Sequence, residues 1–243
     1  MADHGSQETR LHLESWALCP IAQRVLIAAA LRGHRVTRRI TSGGEPQSTT
    51  IEPTILTLHS GRAEVQVTDG LAMVELVEDL FPAAPLHPRD PAQRAIHRNL
   101  MAIAAEAQTR LSRAARDRQA QDLDLSLGNL EAQLGRLEAR LAAGDHVPGG
   151  LVANVDVVLA PLLWRLRILG EQAGTHLLQR FARLRGWSDR LAVQPVLRDI
   201  LTAEAADLYF AVLHARRALI VDAEVSLAWQ SVAGPGVGLR GAG

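Results

Sequence analysis

A proline-rich segment separates two stretches of the chain that have different sequence patterns. Four of the eleven prolines lie between Pro82 and Pro91, and proline at this density interrupts helices and strands. Short strand-like and helix-like runs alternate before this segment, whereas only long amphipathic helical stretches follow it. We therefore expect an α/β domain over residues 1–82, a linker over 83–91, an all-helical domain over 92–230 and a flexible tail over 231–243.

The first domain has the predicted order strand, helix, strand, loop, strand, strand, helix. Residues 9–15 alternate polar and apolar side chains, as half-buried strands do. Pro20 lacks the N–H group that stays unpaired at a first helical position, so it is suited to begin the helix. The remaining predicted elements are the helix Ile21–Leu31, the strand Val36–Ile40, the loop Thr41–Thr50, the strands Thr54–Leu58 and Ala63–Val67, and the helix Leu71–Leu80.

The second half contains long stretches in which apolar residues recur at helical spacing. A helix with one apolar stripe has to bury that stripe against other helices, which predicts a helical bundle. The predicted helices are Ala92–Arg118, Leu123–Ala143, Asn154–Leu169 and Gln172–Leu191.

The composition excludes several classes of function. All 26 basic residues are arginine, which removes any lysine-based mechanism, and 26 acidic residues balance them, so no basic field attracts nucleic acid. The longest apolar runs, such as Val157 to Trp164, are far shorter than the roughly 20 residues that span a bilayer. Met1 to Arg10 does not resemble a secretory signal, and the nine histidines show no metal-ligand spacing. We expect a cytoplasmic protein without nucleic-acid, membrane or metal partners.

An ordered set of motifs runs through both halves of the chain. Residues Ser15 to Val25 read Ser-Trp-Ala-Leu-Cys-Pro-Ile-Ala-Gln-Arg-Val, followed later by Glu52-Pro53-Thr54-Ile55 and Asp69-Gly70. In the helical half, Gly150 to Leu166 includes Asp156, Pro161 and Trp164-Arg165, and Trp187 and Pro195 continue the pattern. Over roughly residues 9–210 this set resembles the glutathione transferase superfamily, with a cysteine-type, omega-like beginning. The resemblance implies a thioredoxin-like first domain, an all-helical second domain, a cis bond before Pro53 and a homodimer.

The resemblance also implies roles for particular residues. Cys19 is the expected nucleophile and Ser15 a second catalytic candidate, with glutathione as co-substrate and a small electrophile or disulfide as second substrate. A thiol at a helix N-terminus lies near the positive end of the helix dipole, which favours the thiolate. Ala22 stands where a resolving cysteine would be, so only monothiol chemistry is expected. The expected glutathione-binding residues are Glu52, Pro53, Asp69 and Gly70, and the expected second-substrate cleft contains Trp16, Glu106, Arg110 and Arg113.

Two residues depart from the family pattern. Gly70 replaces a serine whose hydroxyl holds the γ-glutamyl carboxylate, and Glu52 puts an acid where a basic residue often grips the glycyl carboxylate. Each departure is expected to weaken glutathione binding by on the order of 1 to 3 kcal/mol.

These departures leave more than one function open. The first is a glutathione-dependent transferase, in thiol transfer or in conjugation for detoxification. The alternatives are a binding or structural protein on the same scaffold and a glutathione-independent isomerase or lyase. Single residues keep simpler interpretations as well: Cys19 as a packed thiol, Ser15 as a strand-end hydroxyl, and the face of Glu106, Arg110 and Arg113 as a salt-bridged surface.

Overall fold

A computed structural model of the chain describes residues 9–41, 53–61, 63–144 and 152–222. Glu52, one of the expected glutathione-binding residues, lies outside these ranges, as do most of the predicted loop Thr41–Thr50 and the predicted tail. The Glu52–Pro53 peptide bond, for which a cis geometry was expected, also lies outside the described residues.

The first domain is built on a four-stranded mixed sheet. Its strand order is β2-β1-β3-β4, in which β1 pairs parallel with β2 and antiparallel with β3, and β3 pairs antiparallel with β4. Along β1, Leu11, Leu13 and Ser15 face the buried side because alternate residues of a strand share a face. The strands are β1 (Arg10–Ser15), β2 (Thr37–Ile40), β3 (Ile55–Ser60) and β4 (Ala63–Val67).

Two helices complete the first domain and pack against each other. They are α1 (Pro20–Ala30) and α2 (Gly70–Leu80). Helix α1 begins at Pro20, as the missing proline N–H predicted, and buries Val25 and Ile27 completely. The observed order of strands and helices is the one that the sequence pattern predicted.

The second domain is a bundle around one central helix, α5 (Asn154–Ala173). Sixteen of the twenty residues of α5 are buried, because it packs against α1, α3 and α6 and has no solvent-facing side over most of its length. The other helices are α3 (Pro91–Ala114), α4 (Ala120–Ala142), α6 (Ala182–Ala192), α7 (Pro195–Arg198) and α8 (Ala203–Ala215), with short 3-10 helices at Leu177–Arg180 and Leu219–Val221.

Two structural features that would suggest other classes of protein are absent from the described ranges. No helix there combines the length and the apolar character needed to cross a membrane. No three histidine, cysteine or carboxylate side chains in those ranges lie together in a way that would hold a metal ion.

One predicted helix is wrong. The stretch Gln172–Leu191 was expected to be a single helix, but α5 continues into it as far as Ala173 and α6 begins only at Ala182. Gly174 ends α5 because it adopts a left-handed conformation, with φ of 72°, that favours glycine at a helix C-terminus. The hydroxyl of Thr175 then donates to the Ile220 carbonyl, which holds the turn against the C-terminal part of the chain.

A partly buried carboxylate joins the two domains beside the proline-rich segment. Glu78 on α2 accepts hydrogen bonds from the Arg32 guanidinium, from Asn154 Nδ2 at 2.9 Å, and from the backbone N–H groups of Leu86 and His87. These donors come from the end of α1, the start of α5 and the proline-rich segment. The segment is therefore attached to both domains at one point.

Candidate functional site

A cavity of about 310 Å³ opens between the first domain and the C-terminal ends of α3 and α8. We call it the Cys19 cavity. The first domain contributes the wall formed by Trp16, Cys19, Pro20, Ile21, Pro53, Thr54 and Thr68, and the helical domain contributes Ser112, Ala115, Arg116, Arg165, Tyr209, Val212, Leu213 and Arg216.

Cys19 is the N-cap residue of α1, the position that the sequence predicted. Its backbone is extended, with φ of −60° and ψ of 120°, and its carbonyl accepts the first helical hydrogen bond from the Gln23 N–H. The side chain is 4% exposed and lines the cavity. The sulfur therefore lies where the free N–H groups of the first helical turn and the positive end of the dipole favour a negative charge.

Thr54 is the nearest polar partner of this thiol. The Thr54 hydroxyl lies 2.9 Å from Cys19 Sγ, and either group can donate the hydrogen bond. Thr54 is buried at the beginning of β3, on the cavity wall. The sequence analysis gave Thr54 no role. Its position directly after Pro53, an expected glutathione-binding residue, was the one signal that could have identified it.

Three buried or half-buried guanidinium groups interact electrostatically with Cys19. They belong to Arg24, Arg38 and Arg165. Burial lowers the pKa of Arg24 and of Arg165 to about 10, while a negative charge on Cys19 acts in the opposite direction on both. A thiolate at Cys19 is therefore attracted by positive charges on several sides.

Arg165 connects the two walls. Its Nη2 donates to the Leu18 carbonyl at 2.6 Å, and its Nη1 donates to Gln23 Oε1 at 2.8 Å and to the Pro161 carbonyl at 2.9 Å. It is 2% exposed. A residue of the central helix thereby fixes the backbone immediately before Cys19, which sequence reasoning missed because the two segments lie far apart in the chain.

Ser15, the second catalytic candidate, does not line the cavity. It is fully buried, and its Oγ accepts a hydrogen bond from Arg38 Nη2 at 3.3 Å. The same nitrogen donates to the carbonyls of Trp16 and Ala17. The Ser15 hydroxyl therefore belongs to a network that holds the turn between β1 and α1.

The expected glutathione-binding residues are placed differently from one another. Pro53 lines the cavity, whereas Asp69 caps α2, with its Oδ1 accepting from the N–H groups of Leu71 and Ala72. Gly70 is buried, and a Cβ added there would lie 3.1 Å from both γ carbons of Ile21. A serine at this position would therefore require the Ile21 side chain to shift by a few tenths of an ångström.

The structure corrects the expected second-substrate cleft. Only Trp16 of that set lines the cavity. Glu106 and Arg110 form an ion pair with each other along α3 at 2.5 Å, and Arg113 is exposed. Ser112, which lines the cavity, directly precedes Arg113 and therefore lies about 100° from it around α3, while the other lining residue, Arg116, follows the end of the helix.

A larger cavity, of about 410 Å³, lies between α5, α6, α7 and the beginning of α8. Its lining includes two arginines and a carboxylate, Arg167, Arg198 and Glu204. No cysteine is among the described residues that line it. Because no cysteine lines it, we assign the candidate active site to the smaller Cys19 cavity.

The fold and the site together define a class: a two-domain protein whose α/β domain presents a helix N-terminus to a helical domain. Residues 89–190 match the family described as "Glutathione S-transferase, C-terminal domain". The match concerns this helical segment, and the fold of the chain is the one that its motifs predicted, a thioredoxin-like first domain followed by a helical second domain. No curated protein matches the sequence significantly.

Several solved structures share this fold. Glutathione transferase Omega 2C from Trametes versicolor is 21% identical, with a TM-score of 0.64 over 85% of this chain and 100% of that one. A rice GST, solved in complex with glutathione, is 21% identical, with a TM-score of 0.69 over 86% and 97%. Maleylacetoacetate isomerase from Anaeromyxobacter dehalogenans 2CP-1 is 19% identical, with a TM-score of 0.63 over 82% and 99%. These neighbours are named as transferases and as an isomerase.

Proposed function

We propose that this protein is a glutathione-dependent thiol transferase in which Cys19 is the nucleophile. The observation that carries the proposal is the position of the only cysteine in the chain. It lies at the N-terminus of α1, lines a cavity between two domains, and has the Thr54 hydroxyl 2.9 Å from its sulfur. This position gives the thiol access to a ligand cavity and a hydroxyl partner, as a nucleophile requires.

The proposed reaction has two thiol–disulfide exchanges. In the first, the Cys19 thiolate attacks the glutathionyl sulfur of a mixed disulfide, which forms a Cys19–glutathionyl disulfide and releases the other half as a thiolate. In the second, the thiolate of a free glutathione attacks the glutathionyl sulfur and releases the Cys19 thiolate together with oxidised glutathione. Over both steps, the substrate half of the mixed disulfide is released as a thiol and the free glutathione is oxidised to the disulfide, so atoms and electrons balance.

The protein's own groups act on the charge at sulfur. The Thr54 hydroxyl lies where it can donate to the thiolate whenever Cys19 is the leaving group, and the dipole of α1 favours the same negative charge. Arg165 holds the Leu18 carbonyl and thereby the backbone that carries the thiol. These contacts are formed before substrate arrives, so little reorganisation is required during the reaction.

Glutathione as co-substrate is supported by the superfamily and by two neighbours. The rice GST and the Anaeromyxobacter isomerase were each solved with glutathione bound. In this chain Pro53 and Thr54 on the cavity wall offer backbone groups to a peptide, and Asp69 lies at the start of α2 beyond it. By the same resemblance, we propose a homodimer located in the cytoplasm.

Mass spectrometry after incubation with oxidised glutathione tests this proposal directly. Because Cys19 is the only cysteine, any glutathionyl adduct on the intact protein identifies it. We expect one adduct that dithiothreitol removes, none in Cys19→Ser, and slower formation in Thr54→Val, which keeps the shape of threonine without its hydroxyl. Absence of an adduct on the wild type at millimolar oxidised glutathione would contradict the proposal.

A glutathione-independent isomerase or lyase is the second candidate, and one observation favours it. Gly70 offers no hydroxyl to glutathione, and a Cβ added there would lie only 3.1 Å from both γ carbons of Ile21. Calorimetry distinguishes the two: no heat of binding with millimolar glutathione, in a protein whose Cys19 still reacts with iodoacetamide, would favour this second candidate.

A further inference from the structure

One guanidinium nitrogen binds most of the turn that leads to the thiol. Arg38 Nη2 donates to the Trp16 carbonyl at 3.0 Å, to the Ala17 carbonyl at 2.7 Å and to Ser15 Oγ at 3.3 Å. These three residues are consecutive and lie between β1 and Cys19. Arg38 itself is half-buried on β2, so the sheet holds this turn from one side.

The contact with Trp16 reaches the backbone of Cys19 itself. The Trp16 carbonyl that accepts from Arg38 also accepts from the Cys19 N–H at 3.2 Å. A carbonyl oxygen has two lone pairs, so both donors can bind it together. Arg38 therefore fixes the acceptor of the Cys19 N–H, and with it the backbone that carries the thiol.

The helical domain holds the next carbonyl in the same way. Arg165 on α5 donates to the Leu18 carbonyl at 2.6 Å. The carbonyls of residues 16, 17 and 18 are thus each bound by a guanidinium group, the first two from the sheet and the third from the bundle. Removing Arg38 would leave Arg165 as the remaining guanidinium on these three carbonyls.

The charge of Arg38 also acts on the sulfur. Burial lowers the pKa of Arg38, and a negative charge at Cys19 acts in the opposite direction. Because this attraction is mutual, the guanidinium favours the thiolate. The other charged or titratable groups around the thiol on described elements are Arg24 on α1, Asp69 at the start of α2, which acts on Arg24, Arg165 on α5, and the cavity-lining Arg116, Tyr209 and Arg216.

Resting on the proposed function, we propose that Arg38 is a positioning residue for the Cys19 nucleophile. It holds the backbone before the thiol through the carbonyls of Trp16 and Ala17, and it keeps a positive charge near the sulfur. Arg38 is not among the residues that line the cavity, so it acts through these groups and not through contact with the substrate.

Alkylation of Cys19 by iodoacetamide over a range of pH tests the effect of the charge. We expect the pH of half-maximal alkylation rate to rise by about one unit in Arg38→Gln. In Arg38→Lys, which keeps the positive charge, it should return to within about 0.3 units of the wild-type value. A role of Arg38 in packing alone would not be rescued in this way. The matched control is Arg39→Gln, because Arg39 lies on the opposite face of β2 and pairs with Glu14.

Turnover tests the effect of position. The substrate is the mixed disulfide of glutathione with 2-mercaptoethanol, used at a pH above the half-maximal value of every variant. There we expect kcat/KM to fall about tenfold in Arg38→Gln, because a bound substrate needs an aligned thiol. The rate with iodoacetamide, which needs no bound geometry, should change by less than about twofold. Urea denaturation checks that each variant is folded under the assay conditions.

The outcomes separate this inference from the proposed function. A half-maximal pH in Arg38→Gln equal to that of wild type overturns the inference, whatever the turnover. If Arg38→Gln does not fold, wild-type kcat/KM in Arg38→Lys overturns it, because an ammonium lacks the planar fork of a guanidinium. If wild type turns over no mixed disulfide, the proposed function fails, while the half-maximal pH still decides the role of Arg38.

Discussion

The two walls of the Cys19 cavity supply different kinds of chemistry. Among the described residues, the first-domain wall carries the thiol and two threonine hydroxyls but no charged side chain, whereas the helical wall carries three guanidinium groups and no thiol. The thiol lies at the helix N-terminus that α1 provides from within the sheet domain. The charges come from the ends of α3 and α8 and from the middle of α5. The thiol and the charged side chains of the lining are thus supplied by separate domains.

Replacing Arg165 should have the largest effect on the two walls, because this residue of the helical wall holds the backbone of the first-domain wall. Arg165→Met leaves the Leu18 carbonyl and Gln23 Oε1 buried without their donor, so we expect a loss of about 2 to 4 kcal/mol in the free energy of unfolding. Urea denaturation measures it.

The matched control lies two residues further along the same helix. Arg167 pairs loosely with Glu171 at 3.8 Å on the surface, so Arg167→Met should cost at most about 0.5 kcal/mol. Equal stability of the two variants would show that the Arg165 contacts do not hold the walls together.

A substitution at Gly70 tests the packing behind the first-domain wall, where Gly70 lies against Ile21. Gly70→Ser would restore the hydroxyl that the family uses, but its Cβ meets Ile21, so we expect a loss of about 1 kcal/mol of stability. In an Ile21→Ala background the serine should cost less, and glutathione should bind about fivefold more tightly than to Ile21→Ala alone. Denaturation and calorimetry measure the two effects. An unchanged cost in the Ile21→Ala background would rule out this contact as the cause.

Replacing Glu75 should have the smallest effect on stability. It tests the contacts of α2 with the proline-rich segment and with α3, which attach the two domains to each other. Burial raises the pKa of Glu75, but hydrogen bonds from His87 and from Arg98, together with their charges, outweigh burial and bring it to about 2. A lowered carboxylate pKa stabilises the fold above the ordinary value near 4.5. That stabilisation is lost as pH falls toward about 2.

We therefore expect Glu75→Gln to be less stable than wild type at pH 7, by at most about 1 kcal/mol because solvent screens the partly exposed group. The difference should shrink as the pH falls from about 4.5 toward 2. Denaturation at several pH values measures it, with the exposed Glu171→Gln as control. A difference that is independent of pH would indicate lost packing instead of charge.

Local signals explain what the sequence could predict. Alternation over residues 9–15 followed at once by Pro20 determines a strand and a helix start, and Cys19 falls between them whatever the rest of the chain does. The order of the elements in the first domain follows from the same kind of signal. The role of Cys19 stays a prediction, as do the domain boundaries.

Contacts between residues far apart in the chain, and the exact rotation and ends of helices, account for what the sequence could not predict. The contact between Arg165 and Gln23 joins residues 142 positions apart, and no local periodicity reports it. The face of α3 that meets the cavity is that of Ser112, which one residue, or about 100° around the helix, separates from the predicted Arg113. The end of α5 at Gly174 was missed because a helical pattern continues through that glycine in the sequence.

The carboxylate of Glu78 limits how freely the two halves of this chain can be exchanged with those of other proteins at the proline-rich segment. A boundary drawn from composition suggests that the halves are exchangeable modules. Arg32, the segment's own backbone and Asn154 all donate to this one side chain, so a chimera joined within residues 83–91 inherits Glu78 and Arg32 from one parent and Asn154 from the other. Successful recombination is then expected only between parents that keep this set of partners.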